Sequence, residues 1–470
     1  MFSKARNPAW APAVTCVFAV AMTLMAAKPP DAKQAGLKLT LTETLLAKAP
    51  EQPFIWVRPD GAHVAYIVNR DGKVSLCVNG ILGNPYESIL GPIFSPDSKR
   101  VAFINRSMGK ECVVVDGVDG KRYDQVYMAA FSPDSRRFAY VAVVAGQSVL
   151  VVDGEEGKHY DQINGITFSP DSKRVACLAV ARGGRSVVVD GVEGKAYDAR
   201  DDYSMPVFST DSKRLAYSAG SGGKKVVVVD SIEEARFDGA WGPRFSPDSK
   251  RLAYIAQTKD GQAVVVDGVA GKTHVNVRDV VFSPDSKRVA YAAGDGKRWR
   301  VVVDGTAQQE YSDATYLMFS PDSKHIAYCA HVGKPLGEPQ CIVVDGVEGK
   351  QYHGIWDYLL AFSPDSSRVM YFASNAGKVF FVNGDIEGKG YDAFWIGSWS
   401  NISISPDGEH VAYFAREGGK YVIVVDGLEC GDYATVVPGA NVVFDSPTKC
   451  HLVVRKDEDL YLAETEIARK

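Results

Sequence analysis

The 470-residue sequence is poor in the features that usually announce chemistry. It contains no Cys-x-x-Cys pair, so the spacing of a zinc knuckle or a thioredoxin-type redox motif is absent. Gly-x-Ser-x-Gly, His-Glu-x-x-His and P-loop runs are missing, and no Gly-x-Gly-x-x-Gly follows a strand pattern. No Asp-rich loop has EF-hand calcium spacing. Charge of one sign is scarce as well: 53 Lys and Arg face 57 Asp and Glu, a net of −4. That balance lacks the basic excess of a nucleic-acid binder. After residue 50 no segment sustains a 3.6-residue apolar period, so very little helix is expected. Glycine, by contrast, is plentiful, with 44 residues pointing to many tight turns.

The start of the chain reads as targeting. Lys4 and Arg6 precede an uncharged run from Ala11 to Ala27 that ends in small residues, the pattern of a secretory signal. Its 17 residues also sit at the short edge of the membrane-spanning range, so an uncleaved anchor is the second reading. Residues 1–27 are therefore assigned to a signal peptide or N-terminal anchor, 28–36 to a polar spacer and 37–470 to the folded unit. The expected location is periplasmic or extracellular, with membrane contact only through a retained N-terminal segment. Of eight cysteines, removal of Cys16 leaves seven, an odd number that cannot all pair within one chain. Cys329 and Cys341 flank an expected hairpin and are the pair expected to bond in an exported protein. Cys77, Cys112 and Cys177 lie in apolar runs, where a thiol acts as a small hydrophobe.

A repeat organises the rest. Phe-Ser-Pro-Asp-Ser-Lys-Arg recurs with its aspartate at positions 60, 97, 134, 171, 211, 248, 285, 322, 365 and 407. A degenerate last copy sits at Phe444-Asp445-Ser446-Pro447, making eleven copies over about residues 53–465. In the copy from 166 to 202, Ile166–Phe168, Arg174–Val180, Val187–Val189 and Lys195–Asp198 read as strands. The turns between them are built from Ser-Pro-Asp-Ser, Gly-Gly and Asp-Gly. Four strands repeated about every 40 residues define the blade of a β-propeller.

These residues resemble the WD-repeat-like Pro-Asp propeller repeats of TolB-type proteins and of propeller domains attached to some peptidases. The phrase that carries the likeness is Ser132-Pro133-Asp134 followed by Ala139-Tyr140, and it recurs over about 413 residues. The likeness implies an all-β propeller fold. In most copies Ser replaces the commoner Gly after the Asp; only Asp60-Gly61 and Asp407-Gly408 keep it. The last copy lacks a fourth strand, and residues 37–46 offer an alternating segment to supply it. A single ring of eleven blades is favoured over two rings of five and six.

In a meander blade the first and third turns share one face. That face carries the Ser-Pro-Asp and Asp-Gly turns, and reads chiefly as solvated turn-capping charge. On the other face the copies differ, and aromatics collect at the crossovers between blades. Tyr203, Trp241, Tyr316, Trp356, Tyr358, Trp395 and Trp399 are the candidate ligand-binding residues, on a surface suited to a protein or peptide partner, or a glycan. The function expected is a non-catalytic exported interaction scaffold, with no cofactor, no metal and no nucleic acid. The alternative is a propeller hydrolase or lyase at the channel mouth, drawing on Arg200, Asp201, Asp202, Arg244 or Asp279. His159, His274 and His353 fall near one another in repeat register on the fourth strand, in separate blades.

Overall fold

A computed structural model describes residues 37–48, 54–198, 204–333, 339–356, 359–394 and 402–469. Residues 1–36, expected to be a signal peptide or anchor and a spacer, lie outside the described residues. Strands fall into eleven antiparallel sheets, and no α-helix occurs among the described residues. The third blade shows the pattern. Gln125–Phe131, Phe138–Val144, Gln147–Val152 and Glu155–Tyr160 pair in chain order from the innermost strand to the outermost. Asp153 and Gly154 connect the last two with φ of 54° and 89°. Two positive φ values in a two-residue hairpin match the twist of the flanking strands, which is why Asp-Gly or Asn-Gly recurs there.

Apolar runs such as Ala139-Tyr140-Val141 serve both faces of a sheet. Tyr140 packs with Val113 and Val126 on one side, while Val141 packs with Ile163 and Cys177 on the other. Each blade is thus buried between two neighbours, and its central strands read as continuous hydrophobic stretches.

The serine after the repeated aspartate has a specific task. Asp97 N–H donates to Ser135 Oγ at 3.0 Å, Asp134 N–H to Ser172 Oγ at 2.9 Å, and Asp171 N–H to Ser212 Oγ at 2.9 Å. Each bond crosses from one blade to the next. The serines sit at positive φ, 64° at Ser172, so the hydroxyl offsets a backbone strain that glycine would avoid. Gly61 and Gly408 mark the two places where a side chain does not fit. A Cβ on Gly61 would lie 2.6 Å from Val443 Cγ2, and one on Gly408 would lie 3.0 Å from Pro364 Cγ.

The ring is single and closed. Leu37–Lys48 pairs antiparallel with Asp459–Arg469 as the outer strand of blade eleven, from Leu37 opposite Arg469 to Lys48 opposite Asp459. Blade eleven then packs on blade one through Ala47, Ile55, Tyr66, Val453 and Leu460. His451 Nε2 meets the main-chain oxygen of Asp60 at 2.8 Å, and its Nδ1 meets Asp445 Oδ2 at 2.8 Å.

Two expectations need correction. Cys329 and Cys341 are free thiols. They lie on adjacent strands one register apart, with Cys329 opposite Ile342 and Cys341 opposite Ala330. Alternation sends them to opposite faces, Cys329 towards Tyr371 and Cys341 towards Tyr311. Burial pushes the Cys341 thiol up to about 12, as it does Cys177 and Cys450. The histidines are also out of step: His159 precedes the fourth-strand tyrosine, His353 follows it, and His274 takes its place.

Candidate functional site

On the face bearing the Ser-Pro-Asp turns, charge is consumed within the fold. Arg137 Nε donates to Asp153 Oδ2 at 2.8 Å, and its Nη1 donates to the Lys173 carbonyl of the next blade at 2.7 Å. Its guanidinium also lies 5.6 Å from the Phe168 ring centroid. Arg100, Arg251 and Arg288 repeat the set. Asp134 accepts from the Ser132 hydroxyl at 2.6 Å and the Arg136 amide at 3.1 Å, which holds its carboxyl below the usual range. These side chains rivet blade to blade.

The innermost strands are longer than the sequence pattern suggests. Asp161 is the whole crossover between Tyr160 and Gln162, so residues assigned to crossovers belong to first strands. Each such strand is broken by a bulge, with register shifts between Leu90 and Ile93, Tyr127 and Ala130, Trp241 and Arg244, and Thr315 and Met318. The extra residue takes positive φ: 52° at Met128, 55° at Asp279 and 53° at Tyr316. A bulge turns a side chain out of the sheet's alternation, and beside an innermost strand the open space is the channel. Met128 and Tyr316 occupy bulges, Leu90 and Trp241 stand just before them in register with Ile104 and Ile255, and all four remain between 38% and 48% exposed. Neighbouring blades touch at this level. Gly165 N–H points at Met128 Sδ at 3.0 Å, and a Cβ on Gly165 would lie 1.9 Å from Met205 Cε.

Of the seven candidate residues, Trp241 and Tyr316 lie on these inner strands. Trp356 is half-buried instead, 6.0 Å from the Phe372 ring and 5.9 Å from the Phe394 ring at the boundary of blades nine and ten. Tyr203, Tyr358, Trp395 and Trp399 lie outside the described residues, as do Arg200, Asp201 and Asp202. Arg244 is exposed on its inner strand. Asp279 faces Arg278 at 3.5 Å, and that arginine is stacked 4.0 Å over Trp299 and paired with Asp313. Met128 escaped sequence reasoning because a bulge interrupts the alternation that would mark it, and Leu90 and Met205 escaped because they are not aromatic. No three His, Cys, Asp or Glu side chains converge among the described residues.

The fold so defined is a closed eleven-bladed β-propeller whose inner strands expose apolar and aromatic side chains beside charged ones. No family model matches the chain. No curated protein matches either. Among solved structures it is similar to a eukaryotic initiation factor, at 13% identity over 70% of this chain and 97% of that one, with a TM-score of 0.39. The β-propeller domain of the Trilobed protease from Pyrococcus furiosus is 11% identical over 56% and 94%, with a TM-score of 0.28. TolB from Acinetobacter baumannii is 15% identical over 66% and 79%, with a TM-score of 0.25. At those values the likeness assigns no role to any residue.

Proposed function

We propose that this protein is a non-catalytic recognition scaffold that receives a protein or peptide segment at the inner ring of its propeller. The observation that carries the reading is the exposure of Leu90, Met128, Trp241 and Tyr316 at or beside inner-strand bulges, where large apolar and aromatic groups gain nothing from the core. Met128 and Tyr316 hold a left-handed backbone that costs about 1 kcal/mol or more in a non-glycine residue. Strain of that kind persists where the placement of a side chain matters. Aromatic anchors in a ring of smaller contacts are the usual energetic centre of protein recognition.

The protein acts outside the cytoplasm, on the reading of Lys4, Arg6 and the Ala11–Ala27 run as an export segment. Fractionation of cells producing the full chain tests this, with the protein expected in the envelope or medium. Partner capture from the same fraction, comparing the wild type with Trp241→Ala/Tyr316→Ala, tests the inner ring. Loss of the captured partner with an unchanged melting temperature is the expected result.

A further inference from the structure

The outer halves of neighbouring blades are joined by a repeated latch. Tyr123 donates to Glu156 of the next blade at 2.8 Å, and Lys121 Nζ donates to the same carboxylate at 2.7 Å. Tyr352 and Lys350 do the same to Glu387, and Tyr391 and Lys389 to Glu429. Tyr, Lys and Glu thus form one unit across these joints, as they do with Glu193 and Glu233.

Some joints vary the set and keep an acid, as Tyr86 with Asp119 and Gln309 with Glu348 do, whereas two joints lose the acid, in different ways. Between blades five and six all three members are lost together: Phe237, Ala235 and Ala270 stand in the tyrosine, lysine and glutamate positions. Apolar side chains replace polar ones, and the Tyr254 hydroxyl packed beside Phe237 is left buried without a hydrogen-bond partner. Between blades six and seven only the acid is lost. Ala307 stands where the glutamate belongs, while Lys272 and His274 keep the other two positions. His274 still packs edge-on to Tyr291, with centroids 5.9 Å apart, as Tyr123 does to Tyr140 at 6.0 Å. The result is a cavity of about 750 Å³ lined by Lys272, His274, Ala307, Tyr291, Val289 and Val302. His274 Nε2 is buried in it without a hydrogen-bond partner.

The cavity wall carries four basic side chains, Arg251, Lys272, Lys287 and Arg300, and four acidic ones, Asp260, Asp267, Asp295 and Asp304, and most are paired. Arg251 pairs with Asp267 at 2.9 Å, Lys287 with Asp285 at 3.7 Å, and Arg300 with Glu310 at 2.5 Å, whereas Lys272 makes no ion pair among the described residues. Asp295 pairs with Arg300 at 3.9 Å, and Asp260, the acid of the wall with no ion pair among the described residues, sits in a hairpin turn at the opposite end of the strands from Ala307. Burial first, and then Lys272 and Arg300, keep the His274 imidazole below its ordinary pKa.

We infer that the joint of blades six and seven binds a short-chain monocarboxylate, whose carboxylate takes the place of the missing glutamate between Lys272 and His274 while its alkyl chain lies on Val289, Val302 and Tyr291. The ligand completes the latch that every Tyr-Lys-Glu joint builds covalently into the chain.

The test uses butyrate as the probe and 1-butanol as its neutral control, with the full protein carrying ¹⁵N-labelled histidine. Butyrate is expected to move the His274 ring resonances saturably, and butanol to leave them in place. Ala307→Glu, which restores the residue found at sister joints, should weaken butyrate binding at least about tenfold, as loss of a charge-assisted bond does. Lys272→Met, at an exposed position, should weaken it in the same direction and serves if the first variant misfolds. Absence of a saturable shift, equal shifts with butanol, or undiminished binding in both variants would overturn the assignment.

Discussion

His451 and Asp60 stand 391 residues apart in the chain, yet the histidine ring meets the aspartate main-chain oxygen at 2.8 Å. This contact ties the last blade to the first. It is possible only because Gly61, the residue after Asp60, leaves room for Val443. His451→Ala should lower the unfolding free energy by about 1–3 kcal/mol, the range for a buried polar group left unpaired. Removal of residues 37–48 is more drastic. It strips the outer strand from Asp459–Arg469 and exposes an edge that templates pairing with other chains. Light scattering should show the truncated ring forming oligomers while the point variant stays at the size of the wild type.

The Asp134–Ser172 bond predicts an order among substitutions. Ser172→Ala removes the acceptor and keeps the left-handed strain, so it should cost about 1–3 kcal/mol. Ser172→Gly removes the acceptor but relieves the strain, and should cost less than the alanine variant. Gly408→Ser should also destabilise, because its new Cβ would lie 3.0 Å from Pro364. Urea midpoints of the three variants give the ranking directly.

Acid stability follows from the turn carboxylates. Asp97, Asp134, Asp171, Asp211, Asp248 and Asp285 are each held below the usual range, chiefly by the serine hydroxyl two residues earlier and then by a backbone amide. A folded pKa below the unfolded one contributes stability above the unfolded value, and that stability is lost as pH falls through the folded pKa. The protein should therefore hold its midpoint down to about pH 4 and fail steeply below it. Substitution of one of the six by Asn should remove a share of that acid sensitivity, measured as the slope of midpoint against pH.

His410 works with the opposite sign. Its bond to Asp426 at 2.5 Å raises its pKa against the opposing effect of burial. Its contribution is complete below the unfolded pKa near 6.5 and is lost as pH rises through the higher folded value. His410→Arg installs the cation found in seven other copies, from Arg100 to Arg368, and should flatten stability between about pH 6 and 9. Thermal melts of the two proteins across that range check it.

Much of this architecture was legible in the sequence for a physical reason. Pro133, Asp134 and Gly154 act on their own local backbone, so turn chemistry announces each blade without knowledge of its neighbours. The eleven copies and the spare strand at Leu37 then follow by counting. The inner ring was only half legible. Trp241 and Tyr316 stood out as aromatics, but the bulge that exposes Met128 comes from strand pairing, and that leaves no trace in composition. The role of Ser172 was equally hidden, since its partner lies 38 residues away. Cys329 and Cys341 misled because closeness in a hairpin does not reveal which face each thiol takes.

The central claim is that the inner-ring aromatics recognise a macromolecular partner. Its most direct test is capture from an envelope fraction on immobilised wild type and on Trp241→Ala/Tyr316→Ala, matched for melting temperature. The account predicts a partner retained by the wild type and lost, at least about tenfold, by the variant, as expected for two aromatic anchors. Equal recovery of the same partner on both would contradict it.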